Sequence, residues 1–161
     1  MGVISPAELI DPDSVDFARL FLGDGETVSL YLHRDGGRVL VDGGSLSNQI
    51  ILSLPISRED QNFFEDIVIE LDERLDLDFL IVNKQSEADI RIFYDTEIVL
   101  PDNDVTLGLA VQCEDDTGWF WEIFINTPEF IGKQDYLRYA LIHELGHTLG
   151  LEHPFDNSDG D

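Results

Sequence analysis

Basic residues and cysteine are scarce in this sequence. Lys and Arg together number 9 against 34 Asp and Glu, so the formal net charge is −25. Such an excess repels nucleic acid and anionic membranes, and we expect neither as a partner. Cys113 is the single cysteine, which excludes an intrachain disulfide and favours a buried structural role.

Long apolar runs are missing as well. No stretch approaches the roughly 18 apolar residues that a membrane-spanning helix needs. The first residues, from Met1 to Pro6, show no basic and apolar secretion signal. A chain of 161 residues with 43% hydrophobic content is long enough to bury the core of one globular domain.

Histidine is rare too, with four residues, and three of them lie in one short stretch. That stretch has the pattern H-E-x-x-H-x-x-G-x-x-H, formed by His143, Glu144, His147, Gly150 and His153. Histidines four positions apart lie on the same face of a helix, one turn apart, and can bind one zinc ion. Glu144 points about 100° away from His143, where a carboxylate suits a general base beside the metal.

Gly150 explains how a third histidine can reach the same ion. A glycine in the left-handed conformation ends a helix at little steric cost, and Pro154 disfavours helix beyond His153. Three histidines leave one zinc position open for water, which is typical of a catalytic site. We therefore predict that His143, His147 and His153 bind zinc and that Glu144 is the catalytic base.

The residues around the motif predict a helix at 135–149. Its leucines recur at every fourth position and should face the core, with His143 and His147 on the other side. The row consists of Leu137, Leu141, Leu145 and Leu149.

This motif closely resembles the signature of the metzincin metalloproteases, and His153-Pro154 followed by Asp156-Asn157 looks most like the serralysin branch. The resemblance implies a secreted, zinc-dependent endopeptidase that hydrolyses peptide bonds with a metal-activated water. It also implies that substrate peptides pair with an edge strand, here residues 107–112.

The remaining pattern fits the upper subdomain of that family. We expect an α/β (α+β) fold with a mixed, twisted sheet of about five strands and two long helices. A helix is predicted at 58–75, capped by Ser57, and strands at 50–54, 79–82, 88–94, 107–112 and 120–126. These elements define a catalytic domain at 50–161.

Residues 1–49 are expected to form an N-terminal arm and a β-hairpin. The hairpin strands would be 28–34 and 38–42, joined at Asp35-Gly36-Gly37, and residues 43–48 would be a linker. His33 lies in the first of these strands, where a structural role is the default.

The sequence departs from the family after the third histidine. Metzincins have a methionine turn downstream, but the only methionine here is Met1, so we expect a fragment of a longer protease. The alternative is a truncated, inactive module that binds zinc or peptide. A gluzincin, with a later glutamate as third ligand, is disfavoured by the spacing of Gly150 and His153.

Two further expectations concern the end of the chain. The oxygen-rich run 156–161 is a candidate for Ca²⁺ binding, although it lacks the spacing of an EF-hand. Loss of one wall of the cleft should leave apolar surface around Leu145 and Leu149 partly uncovered unless a partner or second copy covers it, which predicts self-association.

Overall fold

The computed structural model of the chain describes residues 16, 19, 25–95, 106–116 and 118–151. Its strands are β1 (Thr27–Leu32), β2 (Gly37–Val41), β3 (Gln49–Leu54), β4 (Asp78–Val82), β5 (Ile90–Asp95), β6 (Gly108–Asp115) and β7 (Gly118–Asn126). The two long α-helices are α1 (Arg58–Arg74) and α2 (Gln134–Thr148), so both predicted helices are confirmed to within one residue at each end. Neither is long and apolar enough to cross a membrane.

The strands form one mixed sheet of seven. Strands β4, β1, β5 and β7 lie side by side in parallel, and β6 pairs antiparallel with β7 at the edge. Strands β2 and β3 form an antiparallel pair that joins the end of β5 through β3. The predicted α/β class is confirmed, with seven strands where about five were expected, because the N-terminal strands belong to the same sheet.

The hairpin predicted between 28–34 and 38–42 is wrong. Strand β1 pairs with β4 and β5, whereas β2 pairs with β3. The reason is burial: alternate side chains of β1, among them Val28 and Leu30, are fully buried in the main core, which a two-stranded hairpin could not provide. The predicted linker 43–48 is instead the turn between β2 and β3, and the boundary predicted at residue 49 coincides with the first residue of β3.

Both faces of the sheet are covered. Helices α1 and α2 pack on one face, where Leu137, Leu141 and Leu145 of the predicted leucine row join the main core. The β2–β3 hairpin packs on the other face over a second cluster that contains Phe93, Phe124 and the buried, unbridged Cys113.

The surface of α2 differs from expectation. Leu145 is only 2% exposed, so the partly uncovered surface predicted there is wrong, whereas Leu149 is partly buried against the main core. The exposed apolar side chains of α2 are instead Tyr136, Tyr139 and Ile142.

Candidate metal centre and cleft

Helix α2 brings two of the predicted ligands together. The Nε2 atoms of His143 and His147 lie 3.1 Å apart, and the imidazole planes are inclined by 86°. Both side chains are half-buried on the face of α2 that is turned away from its leucine row. Two nitrogens that each lie about 2.0–2.1 Å from a tetrahedral zinc ion are separated by roughly 3.3 Å, close to the separation observed here.

The end of α2 orients the second imidazole. The Nδ1 atom of His147 lies 2.7 Å from the backbone carbonyl oxygen of Leu151. A carbonyl only accepts, so Nδ1 donates, and in the neutral imidazole this leaves the lone pair on Nε2, the atom that lies near His143. Metal-binding histidines are commonly fixed in this way through their other ring nitrogen.

Gly150 has the left-handed conformation that the sequence predicts, with φ of 88°. The N–H of Gly150 donates to the carbonyl of His147, and the N–H of Leu151 donates to that of Gly146, each at 3.0 Å. This pair of bonds is the Schellman motif, which ends the helix and reverses the chain. The same reversal places the Leu151 carbonyl beside His147.

The donor set suits zinc as far as the structure describes it. Two imidazole nitrogens converge, and imidazole is a common zinc ligand. Within residues 25–95, 106–116 and 118–151, no three His, Cys, Asp or Glu side chains form a group that could hold a metal ion. His153 and the oxygen-rich run 156–161 lie outside the described residues, so the third ligand and the calcium site stay predictions.

Glu144 is buried between α2 and the edge strand β6, with 7% of its surface exposed. Its carboxylate accepts a hydrogen bond from the backbone N–H of Ala110. Burial raises the pKa of Glu144 to about 7, and the bond from Ala110 partly opposes that shift. The predicted base therefore lies in a water-poor position beside the two histidines.

Gly108 makes this position possible, and its role was missed in the sequence. A Cβ atom at 108 would lie 2.7 Å from Oε1 and 2.8 Å from Cγ of Glu144. Only a residue without a side chain leaves room for the carboxylate. An isolated glycine within a strand pattern signals such a close approach, but it does not say which group approaches.

A cleft of about 730 Å³ connects these groups. Its walls are mostly apolar, and its polar end carries His143, Glu144 and His147. Tyr139, which is 70% exposed, stacks on His143 with ring centroids 6.2 Å apart. The other lining residues are Thr106, Leu107, Gly108, Leu109, Ala110, Phe130, Tyr136 and Ala140.

A polar network joins the N-terminal ends of the two helices. Ser57 caps α1 by accepting a hydrogen bond from the N–H of Asp60. The buried carboxylate of Asp60, only 3% exposed, accepts from the Ser57 hydroxyl and from Gln134 of α2. Arg138 of α2 donates to Glu59 at 2.7 Å. Because α2 carries both histidines and Glu144, this network helps to fix the position of the site on the sheet.

The chain matches no protein-family model, and the comparisons with curated proteins and with solved structures likewise give no match.

Proposed function

We propose that this chain carries the metal-binding and proton-transfer residues of a zinc-dependent endopeptidase of the metzincin type. One observation carries the proposal: the Nε2 atoms of His143 and His147 converge at the same cleft in which Glu144 is buried. The resemblance of residues 143–153 to the metzincin signature supports it, because His143, Glu144 and His147 of the motif line the cleft.

Each residue then has a defined role. His143 and His147 hold zinc through Nε2, and the motif assigns the third position to His153. Zinc, when bound, supplies a Lewis acid that makes water nucleophilic near neutral pH. Glu144 accepts the proton from the attacking water and transfers it to the amine that leaves when the peptide C–N bond breaks.

The outer edge of β6 is the proposed binding site for the substrate backbone. The predicted edge, residues 107–112, falls largely within β6, and no other described strand pairs with its outer side. An extended peptide can add to such an edge through main-chain hydrogen bonds. The apolar side chains of Leu107, Leu109 and Phe130 favour a peptide with apolar residues near the cleaved bond.

Glu144→Gln tests the proposal. The amide keeps the shape of the side chain but does not accept the proton, so kcat for peptide hydrolysis should fall by about 10²–10⁴-fold with zinc stoichiometry unchanged. Glu129→Gln is the matched control, because Glu129 is exposed and lies outside the cleft.

Activity and zinc content are measured on the same samples. Loss of zinc in Glu144→Gln would make Glu144 a ligand rather than a base. A zinc-loaded wild-type chain that binds peptide but hydrolyses none would support the inactive binding module instead.

A further inference from the structure

The outer edge of β6 can be assigned residue by residue. Asp115 pairs with Gly118 across a tight turn, and the N–H of Asn126 donates to the carbonyl of Leu107 at 3.0 Å. In an antiparallel ladder, residues that exchange hydrogen bonds with the neighbour alternate with residues that face away. Odd-numbered residues of β6 therefore bond to β7, and Gly108, Ala110 and Gln112 point their main-chain groups outwards.

The contacts of these three residues agree with that assignment. The carbonyl of Gly108 accepts from the hydroxyl of Thr106 at 2.9 Å, and the N–H of Ala110 donates to Glu144. At Gln112 the neighbour is a backbone segment: a Cβ added to Gly44 would lie only 2.2 Å from the Gln112 carbonyl oxygen. The outer edge of β6 is thus covered at Gln112 by the turn of residues 43–47.

This turn is held in place by hydrogen bonds to β7 and by packing on the second core cluster. The fully buried carboxylate of Glu122, on β7, accepts hydrogen bonds from the N–H of Gly43 at 2.8 Å and of Asp42 at 3.3 Å. The N–H of Leu46 donates to the carbonyl of Gly43 at 2.9 Å, and the Leu46 side chain packs on the second core cluster. A turn held by these bonds forms a fixed wall.

The wall lies two residues beyond the end of the cleft. The part of β6 that lines the cleft ends at Ala110, opposite Glu144. From Ala110 to Gln112 a strand advances by about 7 Å, which is the length of two peptide residues. Antiparallel pairing is the more stable arrangement, and it directs the N-terminal side of a bound peptide towards Gln112.

We propose that the turn of residues 43–47 closes the N-terminal side of the substrate cleft at Gln112. The inference rests on the proposed peptidase function and specifies its substrate. A bound peptide pairs with β6 only through the N–H of Gly108 and the carbonyl of Ala110, because the Gly108 carbonyl bonds to Thr106 and the Ala110 N–H bonds to Glu144. Substrate residues more than about two positions N-terminal to the cleaved bond leave the edge and contribute no main-chain hydrogen bonds.

Peptides of graded length test this on the zinc-loaded full chain. Starting from one cleaved sequence found in a random peptide mixture, the N-terminal side is extended from one to five residues and the C-terminal side is kept constant. We expect kcat/KM to stay within about twofold beyond the second residue, since no hydrogen bond is added. A rise of about tenfold at the third or fourth residue would overturn the inference but leave the peptidase function intact.

A second measurement does not depend on hydrolysis. Glu144→Gln is titrated with the same peptides, and backbone amide signals are followed by NMR. The signals of Gly108 and Ala110 should shift, and those of Gln112 and Glu114 should stay in place. Shifts at Glu114, or no shift at Gly108 and Ala110, would contradict one-sided pairing even if no peptide is cleaved.

Gly44→Ala should displace the turn of residues 43–47 from β6. Its new Cβ meets a backbone oxygen that cannot rotate away, so the turn must move off β6. In this variant we compare kcat/KM for peptides with four residues N-terminal to the cleaved bond with kcat/KM for peptides with two. The ratio of the first to the second should rise about threefold to tenfold, which is the contribution of one hydrogen bond. An unchanged ratio in a folded Gly44→Ala chain would count against the wall.

Gly37→Ala is the matched control. Gly37 also has positive φ, 99°, and lies in the same hairpin, but its Cβ would meet no atom within 4 Å. The ratio of kcat/KM between the longer and the shorter peptides should be the same in Gly37→Ala as in the wild type. If Gly44→Ala does not fold, the graded peptides on the wild-type chain still decide the question.

Discussion

The side chain of Glu144 packs so closely against Gly108 that no side chain fits at position 108. A Cβ at 108 would meet Oε1, Cγ and Cδ of Glu144, all at 3.0 Å or less. Gly108→Ala should therefore destabilise the fold by about 1–3 kcal/mol, the usual cost of overpacking, and displace the proposed base. The free energy of unfolding by urea measures the first effect, and kcat the second.

A double-mutant cycle identifies the cause of that loss. In a Glu144→Ala background all three atoms that the new Cβ would meet are removed. Gly108→Ala should then cost little, and the interaction energy should equal most of the single-variant loss. An equal cost in both backgrounds would show that the strand itself, not Glu144, requires glycine at 108.

Zinc affinity should depend on His147 and not on His33. The wild-type chain should bind about one zinc ion, and His147→Ala should weaken binding by more than the 10–100-fold typical of a lost outer-shell partner. His33→Ala is the control, because His33 packs beside Phe93 on the opposite face of the sheet. Competition titration with a zinc chelator measures both, and equal affinities for the two variants would exclude His147 as a ligand.

Gly150→Val should lower zinc affinity although it changes no ligand. Left-handed backbone costs a residue with a side chain about 1–2 kcal/mol, and more when the residue is β-branched. The helix end should shift and move the Leu151 carbonyl away from Nδ1 of His147. Gly132→Val carries a similar backbone cost, with φ of 73° and open space around it. Both variants should lose thermal stability, but only Gly150→Val should lose affinity for zinc.

The buried carboxyl of Glu122 should make stability depend on pH. Burial raises its pKa above the ordinary 4.5, although the N–H groups of Gly43 and Asp42 and the Arg91 guanidinium oppose the shift. The folded state therefore holds this proton more tightly, and stability falls as the pH rises above that ordinary value. Relative to Glu122→Gln, the wild type should lose stability as the pH rises above the ordinary pKa of 4.5.

Thermal melts at pH values on both sides of 4.5 measure the difference between the two chains. The general repulsion of a protein with net charge −25 affects both nearly equally and largely cancels. Glu114→Gln, at an exposed position on β6, is the control and should follow the wild type. A constant difference between wild type and Glu122→Gln at every pH would contradict the prediction.

Local patterns in the sequence predicted the elements that carry the site. Helical spacing located α2, and its leucine row packs as expected. The glycine pattern predicted the left-handed Gly150, because a helix end is decided by neighbouring residues. The pairing of His143 with His147 followed from helix geometry alone.

Contacts between distant residues could not be predicted in the same way. Nothing near Val28 indicates that β1 lies between β4 and β5, since a strand pattern does not name its partners. The glycines after β1 favoured a local hairpin, but burial of β1 in the main core outweighed that preference. The approach of Glu144 to Gly108, and of Gly44 to Gln112, likewise arises only once the strands are assembled.

The central position of β1 has a consequence for how the chain folds. Ser29 of β1 bonds through its N–H and its hydroxyl to the carboxylate of Asp89, sixty residues later, and its neighbours β4 and β5 also come later in the chain. Strands β2 and β3, by contrast, pair with each other across a short turn. During synthesis the hairpin can form while β1 still has no strand to pair with, and apolar side chains such as Leu30 stay exposed to other chains. Aggregation of nascent protein should therefore be greatest in chains that stop before β5.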